Sequence, residues 1–66
     1  MQISVNGQLR QVAEGTTVVG LLDELCLKGK PVAVEVNLEL VPRQQHAERQ
    51  LADGDHLEIV TLVGGG

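Results

Sequence analysis

The 66-residue sequence contains no phenylalanine, tryptophan or tyrosine. Its core must therefore be aliphatic, and the flat side chains on which proteins stack single-stranded bases are missing. Positive charge is also scarce: five lysines and arginines stand against nine aspartates and glutamates, a formal net charge of −4. A phosphate backbone would be repelled rather than neutralised, so nucleic acid is disfavoured as a ligand and a basic protein surface is the better match. The single cysteine, Cys26, cannot form an internal disulfide. No apolar run reaches membrane-spanning length, and the N-terminus lacks the basic segment and apolar stretch of a secretion signal. No membrane association is expected, and the cytoplasm is the expected compartment.

What remains is rich in valine, leucine and isoleucine, in a chain near the lower size limit at which a core alone holds a fold. Ile3 and Val5 alternate with Gln2 and Ser4, and Asn6-Gly7 then supplies a strong two-residue turn signal. This predicts a hairpin over residues 1 to 13 in which Val5 faces Gln8, Ser4 faces Leu9 and Met1 faces Val12. Ile3, Val5 and Val12 then share one face, and Leu9 lies on the other. Val18, Leu21, Leu22 and Leu25 recur at helical spacing, with Thr16 or Thr17 as the cap and Lys28-Gly29 as the expected left-handed end before Pro31. Val32, Val34 and Val36 alternate with Ala33 and Glu35 as a third strand, residues 37 to 39 turn, and Leu40-Val41 adds a short strand that Pro42 confines to an edge. Residues 44 to 50 are polar and read as one helical turn or a short helix, with Leu51 in the core. Asp53-Gly54-Asp55 is a turn, and His56 to Val63 is the final strand, with Leu57 and Ile59 on one face and Glu58, Val60 and Leu62 on the other. The economical arrangement is an α+β fold: a mixed sheet of four to five strands covered on one face by one main helix, with the last strand parallel to the first at its centre.

The apolar pattern of the last strand runs directly into Gly64, Gly65 and Gly66 with no polar linker. Three glycines pack nothing and lose the most backbone entropy on ordering, so they are expected as a flexible tail, 64–66, on a domain that spans 1–63. Extended, such a tail reaches roughly 10 Å, and without Cβ atoms it can thread a narrow channel. The carboxylate of Gly66 would be sterically open to an activating enzyme. The competing reading is a frayed terminus, common for terminal glycines generally.

This order of elements, ending in Gly65-Gly66, resembles the β-grasp fold of ubiquitin-like sulfur carriers, and within them the ThiS-like carriers of thiamine biosynthesis. The resemblance rests on Met1-Gln2-Ile3, Glu14-Gly15-Thr16-Thr17-Val18, Val41-Pro42-Arg43, Asp53-Gly54-Asp55 and the terminal Val63-Gly64-Gly65-Gly66. His46 and Val5 stand where the family often carries aromatic residues; both read as packing positions. The resemblance implies a carrier and not an enzyme. A ThiF-like adenylating enzyme would use ATP to convert the Gly66 carboxylate into an acyl-adenylate. A sulfur donor system would convert that to a thiocarboxylate, and thiazole synthase would take up the sulfur. The carrier itself would hold no cofactor. Gly66 is then the reacting group and Gly65 its obligatory neighbour; Gly64, Leu62, Val60, Leu9 and Glu58 would meet the partner enzymes.

Rival readings are specific. A molybdopterin-type carrier uses the same tail chemistry, and a non-covalent ubiquitin-like interaction module needs no free C-terminus. Cys26, beside Leu25 and Leu27, reads as a small, partly buried hydrophobe rather than a persulfide carrier. His46 and His56 have no ligand spacing for a metal. Asp53 and Asp55 read as turn residues, while Asp23 and Glu24 read as a solvated helix face. Acidic residues near the last strand, Glu58 with Asp53 or Asp55, are expected to favour basic partners.

Overall fold

The computed structural model describes residues 1–62. Strands β1 (Gln2–Val5) and β2 (Gln8–Gln11) form the first hairpin, followed by helix α1 (Val18–Glu24), strands β3 (Val32–Val36) and β4 (Glu39–Val41), a 3-10 turn (Arg43–Gln45) and strand β5 (His56–Thr61). They build one mixed sheet in the order β2-β1-β5-β3-β4, with β5 parallel to β1 and antiparallel to β3. This is the expected α+β arrangement, with the last strand at the centre and the proline-terminated β4 at an edge. No helix among the described residues is long and apolar enough to cross a membrane.

The hairpin register is as the alternation predicts: Ser4 pairs with Leu9 and Val5 with Gln8. Asn6 and Gly7 both take positive φ, 51° and 84°, the conformation a two-residue turn needs to match strand twist. Ile3, Val34, Val36, Val41, Leu57 and Ile59 from the sheet meet Val18, Leu21 and Leu22 from α1 in a single core, closed by Val12, just past β2, and by Leu51. Burying each aliphatic side chain contributes roughly 1.5–3 kcal/mol, which is how a core without aromatics holds so small a chain.

Thr17 is the helix cap, its Oγ1 accepting from the Gly20 N–H at 3.1 Å. The two N–H groups before it are satisfied at long range: Val18 N donates to Arg49 O at 3.0 Å and Val19 N to His46 O at 3.0 Å. The polar segment after β4 is thus ordered because it caps α1. Its helical part is one 3-10 turn, the shorter of the two expected forms, and begins one residue earlier than expected, at Arg43.

The other end of α1 departs from expectation. The helix stops at Glu24, and Cys26, not Gly29, takes the left-handed cap position at φ 61°. Cys26 N donates to Asp23 O at 3.0 Å and Leu27 N to Leu22 O at 2.8 Å, the paired bonds of a Schellman ending. Gly29, at φ 79°, serves a separate turn in which Lys30 N donates to Leu27 O at 3.0 Å. Cys26 is exposed rather than partly buried, because the left-handed cap turns it away from the apolar stripe.

Candidate functional site

Strand β5 leads toward the C-terminal glycines, so its anchorage determines where they emerge. On one flank the β1 backbone holds it: Ser4 N donates to Asp55 O at 2.9 Å and Asn6 N to Leu57 O at 2.9 Å. Beyond the end of β1 the Asn6 side chain continues the ladder. Its Oδ1 accepts from Ile59 N at 2.8 Å and its Nδ2 donates to Ile59 O at 3.1 Å, so one amide satisfies both backbone groups of a residue that β1 no longer reaches. On the other flank β3 pairs with β5 as far as Val32 opposite Thr61, and Leu62 N donates to Pro31 O at 2.8 Å. The backbone is therefore fixed up to Leu62. Gly64, Gly65 and Gly66 lie outside the described residues, as does the domain boundary expected at Val63.

The sheet face opposite α1 carries Glu58 and Val60 of β5 and, just beyond the strand, Leu62. Val60 pairs with Ala33 and Glu58 with Glu35, and Leu40 of β4 stands on the far side of Glu35. Val60 is 57% exposed, Leu62 52% and Leu40 65%, an aliphatic patch near the end of the strand. Leu9 is exposed on the same face but stands apart. It pairs with Ser4, whose β5 partner is His56, four residues before Val60, or roughly 13 Å along the strand.

Glu35 and Glu58 are directly opposed across two antiparallel strands, an arrangement that costs stability through like-charge repulsion. Both are exposed, so a cationic side chain laid across them would relieve it. Asp53 and Asp55 are engaged within the turn before β5. Asp53 Oδ1 accepts from Gln2 N at 2.7 Å, while Asp55 accepts from Asn37 Nδ2 at 2.9 Å and from Ala52 N at 2.8 Å. They stitch the loop before β5 to its neighbours, as turn residues do. Glu35 is the acidic residue paired with Glu58 across the strands.

Leu40, Glu35 and Asn6 thus join the site, and sequence reading assigned none of them to it. A three-residue strand shows no alternation that would tell Leu40, outside, from buried Val41. The turn chemistry of Asn6-Gly7 accounts fully for Asn6 without its reach to β5. His46 is buried, with Nε2 donating to Val41 O at 2.9 Å, and so fills a packing position as expected. His56 Nδ1 lies 2.7 Å from Ser4 Oγ on the open face. Among the described residues no three histidines, cysteines or carboxylates gather as a metal site.

Comparison with known proteins then places the chain in a family. The model of the ThiS family matches residues 3–66. The sulfur carrier protein ThiS of Escherichia coli K12 is 38% identical over 66 residues, spanning all of both chains. A thiazole synthase of Paramagnetospirillum magneticum is 46% identical over the same 66 residues, which are all of this chain but 20% of that protein. The crystal structure of the thiamine biosynthesis protein ThiS from Geobacter metallireducens superposes with a TM-score of 0.84 at 35% identity over the whole of both chains. With the β-grasp sheet, the central last strand and a family match that runs through the terminal glycines, the chain belongs to the ThiS family.

Proposed function

We propose that the protein is a sulfur carrier for thiazole formation in thiamine biosynthesis, working through the carboxylate of Gly66. The observation that carries this reading is the family match reaching residue 66, the glycine at which the chemistry would occur. The carboxylate is a poor electrophile. Attack of its oxygen on the α-phosphorus of ATP, in a ThiF-like adenylating enzyme, would expel pyrophosphate and leave an acyl-adenylate. A sulfur donor would then displace AMP and leave a thiocarboxylate, whose sulfur passes to thiazole synthase. The protein contributes no catalytic group to these steps; it is a co-substrate. Leu62 is held through its N–H to Pro31 O, and the four residues that follow it in sequence span at most roughly 14 Å when fully extended.

Val60, Leu62 and Leu40, with the opposed Glu35 and Glu58, would form the surface that partner enzymes meet, Leu9 contributing at its margin. The thiazole synthase that contains a homologous segment supports a link to that enzyme. Family membership favours the thiamine branch over a molybdopterin carrier or a non-covalent module.

The test is intact mass after incubation with ATP, the adenylating enzyme and a sulfur source. The product is expected to gain the difference between one sulfur and one oxygen atom, localised to Gly66 by fragmentation. Sulfur localised to Cys26 would overturn the mechanism.

A further inference from the structure

On the helix side of the sheet, away from Val60 and Leu62, the loop between α1 and β3 and the start of the 3-10 turn frame a groove of about 280 Å3. Its floor is aliphatic, built from Val19, Leu22 and Val32, and Lys28, Lys30 and Arg43 stand around it. Three of the five lysines and arginines of the chain thus border one groove, and no lining residue is acidic. The two remaining cations share the rest of the molecule with nine carboxylates. Among the described residues, none of these three cations is in a salt bridge; the ion pair found there joins Arg10 to Glu24. The buried His46 forms a fixed wall, its ring tied to the Val41 carbonyl.

Concentrated positive charge on an acidic protein recruits an anionic partner to that place and repels it elsewhere. The aliphatic floor narrows the choice, since a bare inorganic anion would gain nothing from it. Nucleic acid is opposed by the net charge and by the absence of stacking side chains. We infer that the groove docks an acidic segment of a partner protein, in which an aliphatic side chain reaches the floor and flanking carboxylates meet Lys28, Lys30 and Arg43. Such a partner would leave the open sheet face free, and the inference does not depend on the tail chemistry.

The experiment uses the intact chain, labelled for amide NMR and titrated with a synthetic peptide of one leucine flanked by glutamates. Saturable shifts are expected in the amides of Lys28, Gly29, Lys30, Arg43 and His46, with affinity falling at least about tenfold between low and high salt. The double variant Lys30→Glu, Arg43→Glu should lose the shifts while the remaining spectrum stays that of the folded parent. A matching peptide with glutamine for glutamate should bind at least about tenfold more weakly. Equal binding of the glutamine peptide would overturn the inference, as would the same shifts produced by inorganic phosphate at equal concentration. Absence of saturable shifts would also overturn it. So would shifts that follow protein concentration alone, which would mean self-association at the groove.

Discussion

Among the described residues, four that are not glycine take left-handed φ: Asn6, Cys26, Asn37 and Leu38. Asparagine tolerates this conformation, whereas leucine pays roughly 1–2 kcal/mol for it. Leu38 recovers none of that by packing, since it is 89% exposed at the tip of the β3–β4 hairpin. Leu38→Gly should therefore raise stability by about 0.5–1 kcal/mol after allowing for the greater freedom of glycine in the unfolded chain. Leu38→Ala, which keeps the backbone cost, should change it little. Urea midpoints compare the two, and equal gains from both would show that the backbone is not the cause. Asn6 is the opposite case, with its left-handed φ compatible with glycine and its side chain committed to Ile59. Asn6→Gly should keep the turn yet cost roughly 1–2 kcal/mol for the two lost bonds, with faster amide exchange at Ile59 as the local readout.

At the scale of the elements, the opposed Glu35 and Glu58 separate stability from binding. Glu35→Gln should stabilise the sheet by roughly 0.2–1 kcal/mol. It should also slow association with a basic partner surface and flatten the salt dependence of that association. Stopped-flow association at several ionic strengths, beside a urea melt, reads both effects; a variant that is less stable or associates faster would contradict the arrangement. The elements themselves were largely legible in the sequence. Alternation fixed the β1–β2 and β3 faces, the stripe of Val18, Leu21 and Leu22 fixed the buried side of α1, and Asn6-Gly7 fixed the first turn. What was illegible depends on contacts distant in sequence or on geometry without a residue signature. The N–H groups of Val18 and Val19 find their acceptors some thirty residues away, at Arg49 and His46. The left-handed ending falls on Cys26 while Gly29 nearby offers the better-known signal. The cations of the basic groove come from two separate segments, so no local charge run announces them.

On the proposed function, the molecule as a whole would divide its labour between a body that partners recognise and a C-terminal glycine that reacts. Deleting Gly66 would withdraw the carboxylate by roughly 3.5 Å, and a misplacement of 1 Å already costs about a hundredfold in rate. Gly65→Ala would add a Cβ where a narrow channel is expected to admit none. Both variants should melt within error of the parent, since glycine contributes no side chain to the core, and both should fail to gain sulfur by intact mass. A lowered melting temperature would show that the glycines support the fold, and parental sulfur loading would remove them from the chemistry. The position of β5 has a mechanical consequence too. A pull on the C-terminus along β5 loads its hydrogen bonds to β1 and to β3 together, where an edge strand would carry the same load on one flank alone. Force applied to the residues that follow β5 would therefore be shared by two neighbouring strands before the body yielded.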